Sequence, residues 1–386
     1  MKICRVTKYL PGNHRHPGVQ HAYYLTQNIR QPTLIIAKKD GARTGYPLPD
    51  HAVLKEIAYG DFALTGASSG RNVISGGSTR FGQKWQFLLK LALKSREILF
   101  LVKAIPALMR FRPRVLHSHG LMTLVHGLFA KLFLRSRVVI TIHSAAETLL
   151  VNRLRLLRYA LDCCDKIICV SNAVRQNLAP HFAADKLEVI PTGFDPQLFG
   201  NLRLERKNQL VAVGYLKWQK DYSCMIEAMA QVAARLPGYR LLIIGDGPER
   251  QKLEREIERF QLADKVRLLG NLGQSEIVEH LNESKLFIMS SVSEGLPKAL
   301  LEAAACGTPA VVTTACNAED FIDRIGIAVD PGDSRVLAAA IHELLADPAR
   351  WQRLSTNSVA VAQRYRWDSI SAETMDLYNR LCSAAG

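Results

Sequence analysis

The stretch 289-MSSVSEGLPKALLEAAACGTPAVVT-313 sets two carboxylates, Glu294 and Glu302, around a proline and closes on a strand-like Pro-Ala-Val-Val-Thr. The apolar run Leu286–Met289 before it has strand length, and so does Ala310–Val312 at its end. The pattern predicts strand, loop, helix, strand. Ser290–Leu296 makes the loop, and Pro297 takes the first helical position, where its missing N–H is tolerated. The helix then runs to Cys306 and stops at Gly307. Such a helix presents unpaired backbone N–H groups and partial positive charge at its start, a place for an anion. Glu294 in the loop is placed to accept hydrogen bonds from sugar hydroxyls, and Glu302, near the second turn, to clamp a vicinal diol. Either acid alone reads as a surface carboxylate. Both in this frame describe a ligand with phosphate between two diols.

Outward from this stretch, apolar runs alternate with helical segments. In the first half the expected strands are Lys2–Thr7, Thr33–Ala37, Arg114–His117, Val138–Ile142, Lys166–Val170 and Leu187–Ile190. In the second half they are Gln209–Val213, Arg240–Ile244, Lys265–Leu269, Leu286–Met289, Ala310–Val312 and Ile327–Val329. Continuous Val/Ile/Leu runs flanked by helices indicate parallel sheets covered on both faces. The class is therefore α/β, with two Rossmann-like, doubly wound domains facing a central cleft. The punctuated segment Pro191-Thr-Gly-Phe-Asp195-Pro196 and the polar run Asn201–Asn208 divide them. The expected domains are 1–194 and 195–368. Residues 51–82, rich in glycine and serine, give no firm pattern.

A chain of 386 residues with 48% apolar and 22% charged residues is ordinary globular protein, long enough for two cores. Its charged start lacks the apolar segment of a signal peptide, and no run reaches membrane-spanning length. A soluble, cytoplasmic protein is expected. The eight cysteines lie mostly in apolar runs without a CxxC pair, so reduced core thiols are expected rather than bridges or a zinc site. The net charge of +15 is uneven: residues 1–200 carry 28 Lys+Arg against 11 Asp+Glu, and the rest 22 against 24. The first half attracts anions.

Ligands of parallel sheets bind beyond the carboxyl ends of the strands. After Val213 comes Gly214, which permits a close turn, followed by Lys217 and Lys220, point cations suited to a diphosphate or simply solvated. After Ile244 comes Gly245-Asp-Gly-Pro248, a short turn that either brings backbone near a nucleotide or is only structural. It is not the dinucleotide fingerprint, whose glycines and acidic partner are absent.

Glu294-Gly295-Leu296-Pro297 with Glu302, then Ala303, Gly307, Pro309 and Val311-Val312, resembles the E-x7-E region of family-4 retaining glycosyltransferases of GT-B fold. The resemblance extends over nearly the whole chain. Gly214 with Lys220 is similar to the G-R-L-x-x-x-K-G diphosphate loop, Gly245-Asp-Gly-Pro to the G-x-G-P turn, and Val189–Asp195 to the hinge motif V-I-P-N-G-V-D. Asp330–Asp333, Tyr365–Trp367 and Tyr378 resemble the C-terminal segment, whose last helix, here 369–386, crosses back onto the first domain. The resemblance implies that Lys220 holds the diphosphate, Glu294 the transferred sugar and Glu302 the ribose. Gly295, Leu296 and Pro297 then line the phosphate end. The family's arginine after the glycine is Tyr215 here, and Lys217 is the candidate substitute.

In the first half, Thr141-Ile-His143 resembles the strand-end motif whose histidine faces the sugar, which makes His143 a catalytic candidate. Gly18 is the one residue matching the family's glycine-rich loop after the first strand. His117-Ser-His119 resembles an H-x-H motif assigned to structure or acceptor lining, and Ser171-Asn172 a V-S-x motif assigned to hydrogen bonding or capping. No Asp-x-Asp occurs, so no metal is expected, and no cofactor beyond the nucleotide-sugar substrate.

The family implies transfer of a sugar with retention from a nucleotide-diphosphate-sugar to a lipid-linked or saccharide acceptor, of the kind used for cell-surface polysaccharide or lipopolysaccharide. Two rivals stand beside it: a nucleotide-sugar 2-epimerase of the same fold, disfavoured by the E-x7-E frame, and a basic nucleic-acid-binding protein. Against the latter, no recognition motif interleaves aromatics with cations, and the charge lies on one half only. The excess charge, densest at 80–114 with nine cations and only Glu97 as counter-charge, suggests peripheral attachment to an anionic membrane on the cytoplasmic side.

Overall fold

A computed structural model describes residues 1–7, 17–38, 48–57 and 99–383. The first sheet contains β1 (Ile3–Thr7), β2 (Thr33–Lys38), β3 (Ala52–Ile57), β4 (Val115–His119), β5 (Arg137–Ile142), β6 (Lys166–Cys169) and β7 (Leu187–Val189), in the order β3-β2-β1-β4-β5-β6-β7. The second contains β8 (Lys207–Val213), β9 (Arg240–Ile244), β10 (Val266–Gly270), β11 (Ser284–Met289), β12 (Ala310–Thr313) and β13 (Gly326–Val329), in the order β10-β9-β8-β11-β12-β13. Both are parallel α/β sheets with the doubly wound order, so strand order reverses between β1 and β4 and again between β8 and β11. Those reversals are where such sheets leave a crevice for ligands.

The continuous apolar runs became strands because helices bury both their faces: β1 and β4 are buried at every position. One strand escapes the sequence pattern. β3, Ala-Val-Leu-Lys-Glu-Ile, pairs β2 from Thr33 opposite Ala52 but lies at the sheet edge, with Val53 61% exposed and Lys55 and Glu56 in the open. An edge strand need not be apolar on both faces, and charge there discourages further pairing.

Two compact units emerge: Met1–Thr141 with Leu156–Ile167 and Tyr378–Gly386, and Ile142–Arg155 with Ile168–Leu377. In the first, alternate residues Cys4, Val6, Leu34, Ile36 and Leu116 pack against Phe100, Ala104, Leu108 and Ala130. At the end of the C-terminal helix Trp367–Ser383, the Tyr378 hydroxyl sits 2.5 Å from His117 Nδ1, and the Cys382 carbonyl accepts from Arg114 at 3.0 Å. In the second unit the core gathers Leu210, Ala212, Met225, Met229, Ile243, Leu286, Ile288 and Val311. There the hinge-like segment is pinned: Phe194 pairs Arg366, its N–H donating to the Tyr365 carbonyl at 2.9 Å while its carbonyl accepts from Trp367 at 3.1 Å. A Cβ on Gly193 would lie 2.8 Å from the Trp367 ring, so glycine is needed for this close approach.

Candidate active site

The site forms at the strand-order reversal of the second sheet. The chain leaves β8 at Gly214 and makes a single 3-10 turn, Trp218–Lys220. It then enters the helix Tyr222–Arg235 through Asp221, whose carboxylate accepts from the Cys224 N–H at 3.3 Å. This cap explains why a helix starts here. From the neighbouring β11, Ser290 donates to the carbonyls of Lys220 and Asp221 at 2.9 and 2.8 Å, tying the two loops together. Lys220 Nζ lies 2.8 Å from Glu294 Oε1, with the side chains only 13% and 15% exposed. The contact is an ion pair without hydrogen-bond alignment at that oxygen. A Cβ on Gly214 would meet Lys220 Cε at 3.3 Å and the Tyr222 hydroxyl at 2.9 Å, so the glycine leaves room for the lysine stem.

The Glu294 loop is fixed from several sides. Val292 donates to the Gln219 carbonyl at 2.8 Å, Glu294 donates to the Ala315 carbonyl at 3.0 Å, and the Asn317 side-chain amide donates to the Glu294 carbonyl at 2.8 Å. Asn317 itself is left-handed at φ 52°, a conformation asparagine tolerates. Gly295 is demanded by proximity: an added Cβ would stand 2.0 Å from the His143 carbonyl oxygen and 3.1 Å from Val170 Cγ2. The loop therefore rests on the backbone of His143, bringing that residue next to Glu294. His143 is half-buried, and its N–H donates to Glu147 at 2.6 Å while Ser144 caps the helix Ala145–Arg153.

Pro297 sits one residue earlier than expected, as the cap rather than the first helical residue, because its ψ of 120° is extended. The helix Lys298–Ala305 follows, with Leu296 buried ahead of it and a left-handed Gly307 behind it. Glu302 is buried, and Lys298 Nζ stands 2.8 Å from its Oε1. Each of the two glutamates thus has a lysine partner.

Burial raises the pKa of the Tyr222 hydroxyl, and the charge of Glu294 raises it further. The Cys316 thiol is pushed up to about 12 by burial and then by Glu294. Both groups stay neutral beside the carboxylate, which leaves Lys220 as its counter-ion.

The other predicted residues are placed variously. Gly245, at φ 133°, and Gly247 serve packing between loops: a Cβ on either would stand 2.0 or 2.4 Å from the carbonyl of Gly214 or Leu216. Lys217 lines a small depression with Trp218, Ser223, Glu249 and Lys252, whereas Lys220 lines a crevice with Tyr222, Met225 and Ser290, so the two lysines are not drawn together. Gly18 lies in the first turn of the helix Pro17–Asn28 instead of in a loop, and residues 8–16 fall outside the described residues. His117 is engaged at both ring nitrogens, by Tyr378 and by the Thr141 hydroxyl at 2.7 Å, which makes it structural. Ser171 caps the helix Asn172–Leu178, and Asn172 donates to Asp320 at 2.8 Å. Sequence reasoning missed Ser290, Asp221, Tyr222 and Asn317. Only Asp221 carried a readable signal, as an aspartate directly before a helical pattern.

Comparison with known proteins bears on the family and the fold. Residues 195–360 match the model of glycosyl transferases group 1, and residues 74–198 match that of glycosyltransferase family 4. The chain belongs to the family-4 glycosyltransferases of group 1 type. A phosphatidylinositol N-acetylglucosaminyltransferase subunit from Arabidopsis thaliana is 26% identical over 284 residues, covering 71% of this chain and 63% of the relative. Its Homo sapiens counterpart is 28% identical, covering 70% and 58%. The chain thus spans less than two thirds of these relatives. The amylovoran biosynthesis glycosyltransferase AmsD of Erwinia amylovora is 26% identical, covering 59% and 66%. Among solved structures, sucrose-phosphate synthase of Thermosynechococcus elongatus superposes with a TM-score of 0.78 at 18% identity, covering 99% of both chains. Anabaena HepE, solved with UDP and glucose, has a TM-score of 0.74 at 19% identity, covering 98% and 100%. These likenesses establish the GT-B fold.

Proposed function

We propose that the protein is a retaining glycosyltransferase that moves a hexose from a nucleotide-diphosphate-sugar to an acceptor hydroxyl. The observation carrying this reading is the Lys220–Glu294 pair at 2.8 Å, at the mouth of the crevice between β8 and β11, with Glu302 one helix start away. In the structure this cation and carboxylate neutralise each other. An incoming diphosphate takes over the lysine, and Glu294 turns to the sugar hydroxyls, so both groups exchange one partner for another. When the bond from the anomeric carbon to the diphosphate oxygen breaks, its electron pair goes to the diphosphate. Lys220 and the backbone amides at the start of Lys298–Ala305 stand where that charge grows. The acceptor oxygen bonds the anomeric carbon on the same face, and its proton passes to the departing phosphate. His143, beside Gly295, lines the sugar side, and Glu302 clamps the ribose diol.

The charge balance needs no metal in this reading, since lysine and helix amides supply the positive charge. The solved neighbour HepE was captured with UDP and glucose, which supports a nucleotide-sugar as the ligand. The names of the relatives include a phosphatidylinositol acceptor and amylovoran synthesis, which supports a lipid-linked or saccharide acceptor in cell-surface glycan assembly. Incubating the protein with a panel of nucleotide sugars and measuring released nucleotide tests the reading. One sugar giving slow, acceptor-stimulated release supports it. Conversion of the donor itself into its 2-epimer, without release, replaces it with the isomerase of the same fold.

A further inference from the structure

From residue 99 to residue 137 the chain contains Lys103, Arg110, Arg112, Arg114, Lys131, Arg135 and Arg137 and not one Asp or Glu. The structure folds this stretch into a helix described over 99–111, then β4, then the helix Leu124–Leu134. Phe100, Ala104, Leu108 and Ala130 of the two helices pack on the same sheet face, against Cys4, Val6, Leu34, Ile36 and Leu116, and the Phe100 and His126 rings meet at 4.6 Å. The helices are neighbours, so their outer sides look away from the sheet together. On the first helix, Leu99, Val102, Lys103, Pro106, Met109 and Arg110 share the outward face, and all are exposed. At the end of the second, Leu132 is 76% and Phe133 68% exposed.

A solvated scaffold face would carry mixed charge and few bare apolar side chains. This face alternates apolar side chains with cations of one sign. Lys131 and Arg137 are neutralised by Asp165, at 2.9 and 3.1 Å, whereas Arg110, Arg112 and Arg135 stand exposed. No described helix is long and apolar enough to cross a membrane, so lipid would be met at its surface. We propose that the outer face of these two helices docks on an anionic phospholipid surface, with Val102, Met109, Leu132 and Phe133 entering the headgroup layer and Arg110, Arg112 and Arg135 meeting lipid phosphates. The charge selects this occupant over a second copy, because a two-fold contact would set like cations against one another. The proposal rests on a lipid-linked acceptor and moves the contact from the charge-dense 80–98, outside the described residues, onto 99–135.

Sedimentation with phosphatidylcholine vesicles and with mixed phosphatidylcholine and phosphatidylglycerol vesicles, at low and high salt, tests it. The protein should pellet with the anionic vesicles at low salt and be released by high salt. Replacing Arg110 and Arg135 with alanine should weaken partition about fivefold for each charge. Leu132→Asp with Phe133→Asp should weaken it tenfold or more. Leu202→Asp, an exposed leucine of the second unit, should leave it unchanged. Phe133→Trp supplies a gain of signal, a blue-shifted emission with anionic vesicles only. Equal recovery of the wild type in the supernatant with both lipids overturns the proposal. So does unaltered partition of the two double variants, or a change in their oligomeric state by size exclusion in place of lipid binding. Nucleotide release measured without vesicles reports on the glycosyltransferase reading separately, so loss of one leaves the other standing.

Discussion

The carboxyl ends of the two sheets are built from opposite materials. At the end of β8 and β11, charge is kept: Lys220 faces Glu294 and Lys298 faces Glu302, in side chains that are largely but not fully buried. At the end of β4, aromatic rings are packed away from solvent: His117 and His119 stack at 4.2 Å, His21 lies 5.3 Å from His119, and all three are buried with Arg5 nearby in β1. Burial, and then the charge of Arg5, lower His21 to a pKa of about 3, so the ring is neutral. The difference teaches which end performs exchange. Paired ions at a solvent margin can trade partners with an incoming anion, whereas closely packed buried rings hold the shape of the sheet end.

The largest effect that sharpens this contrast is expected from Lys220→Ala. If the lysine meets charge that grows as the diphosphate leaves, kcat should fall about 10²–10³-fold with the nucleotide-sugar saturating. A rise in KM alone, at unchanged kcat, would reduce the lysine to a ground-state contact and break the contrast.

The histidine end should show itself in stability rather than catalysis. Below pH 6.5 an unfolded histidine takes up a proton, while folded His21 waits until about 3, so the unfolded state binds more protons and stability falls with pH across that window. Between pH 6.5 and 5 this amounts to about 2 kcal/mol. His126, lowered to about 4 by burial, adds in the same direction. Thermal unfolding at pH 7, 6 and 5 should show the loss, and His21→Leu should flatten it. An identical slope in that variant would remove His21 as the cause. Smallest of all is the effect of a chelator, which should leave turnover unchanged. Abolition of turnover that magnesium or manganese restores would contradict the metal-free reading.

Most of the fold was legible because strands buried on both faces write themselves as unbroken apolar runs, as β1, β9 and β11 do. β3 was not, since an edge strand with Lys55 and Glu56 in the open carries neither an apolar run nor strict alternation. β4 runs on to His119, beyond the expected end at His117, because its pairing with β5 continues to His119 opposite Thr141. In the candidate site, Glu294 and Glu302 were singled out by their frame around Pro297, and Gly295 by the resemblance. The pairing of Lys220 with Glu294 was not legible, because the lysine comes from another loop across the strand-order reversal, and pairing of that kind has no period. The Lys298–Glu302 pair was within reach, being four residues apart on one helix. Asn317 was invisible because a single left-handed residue leaves no pattern. Lys217 lines a different depression from the crevice that Lys220 lines, a separation that the spacing of two lysines after a glycine does not reveal.

The central claim is that two glutamates eight positions apart divide one ligand, Glu302 holding the nucleoside and Glu294 the sugar. Calorimetry with a free nucleoside diphosphate, on the wild type, Glu294→Gln and Glu302→Ala, tests that division most directly. The account predicts that Glu302→Ala weakens binding by about 1.5–3 kcal/mol, while Glu294→Gln binds the nucleotide with near-normal affinity and loses sugar transfer. Unchanged affinity in Glu302→Ala, or a collapse of affinity in Glu294→Gln that keeps step with its lost activity, would contradict it.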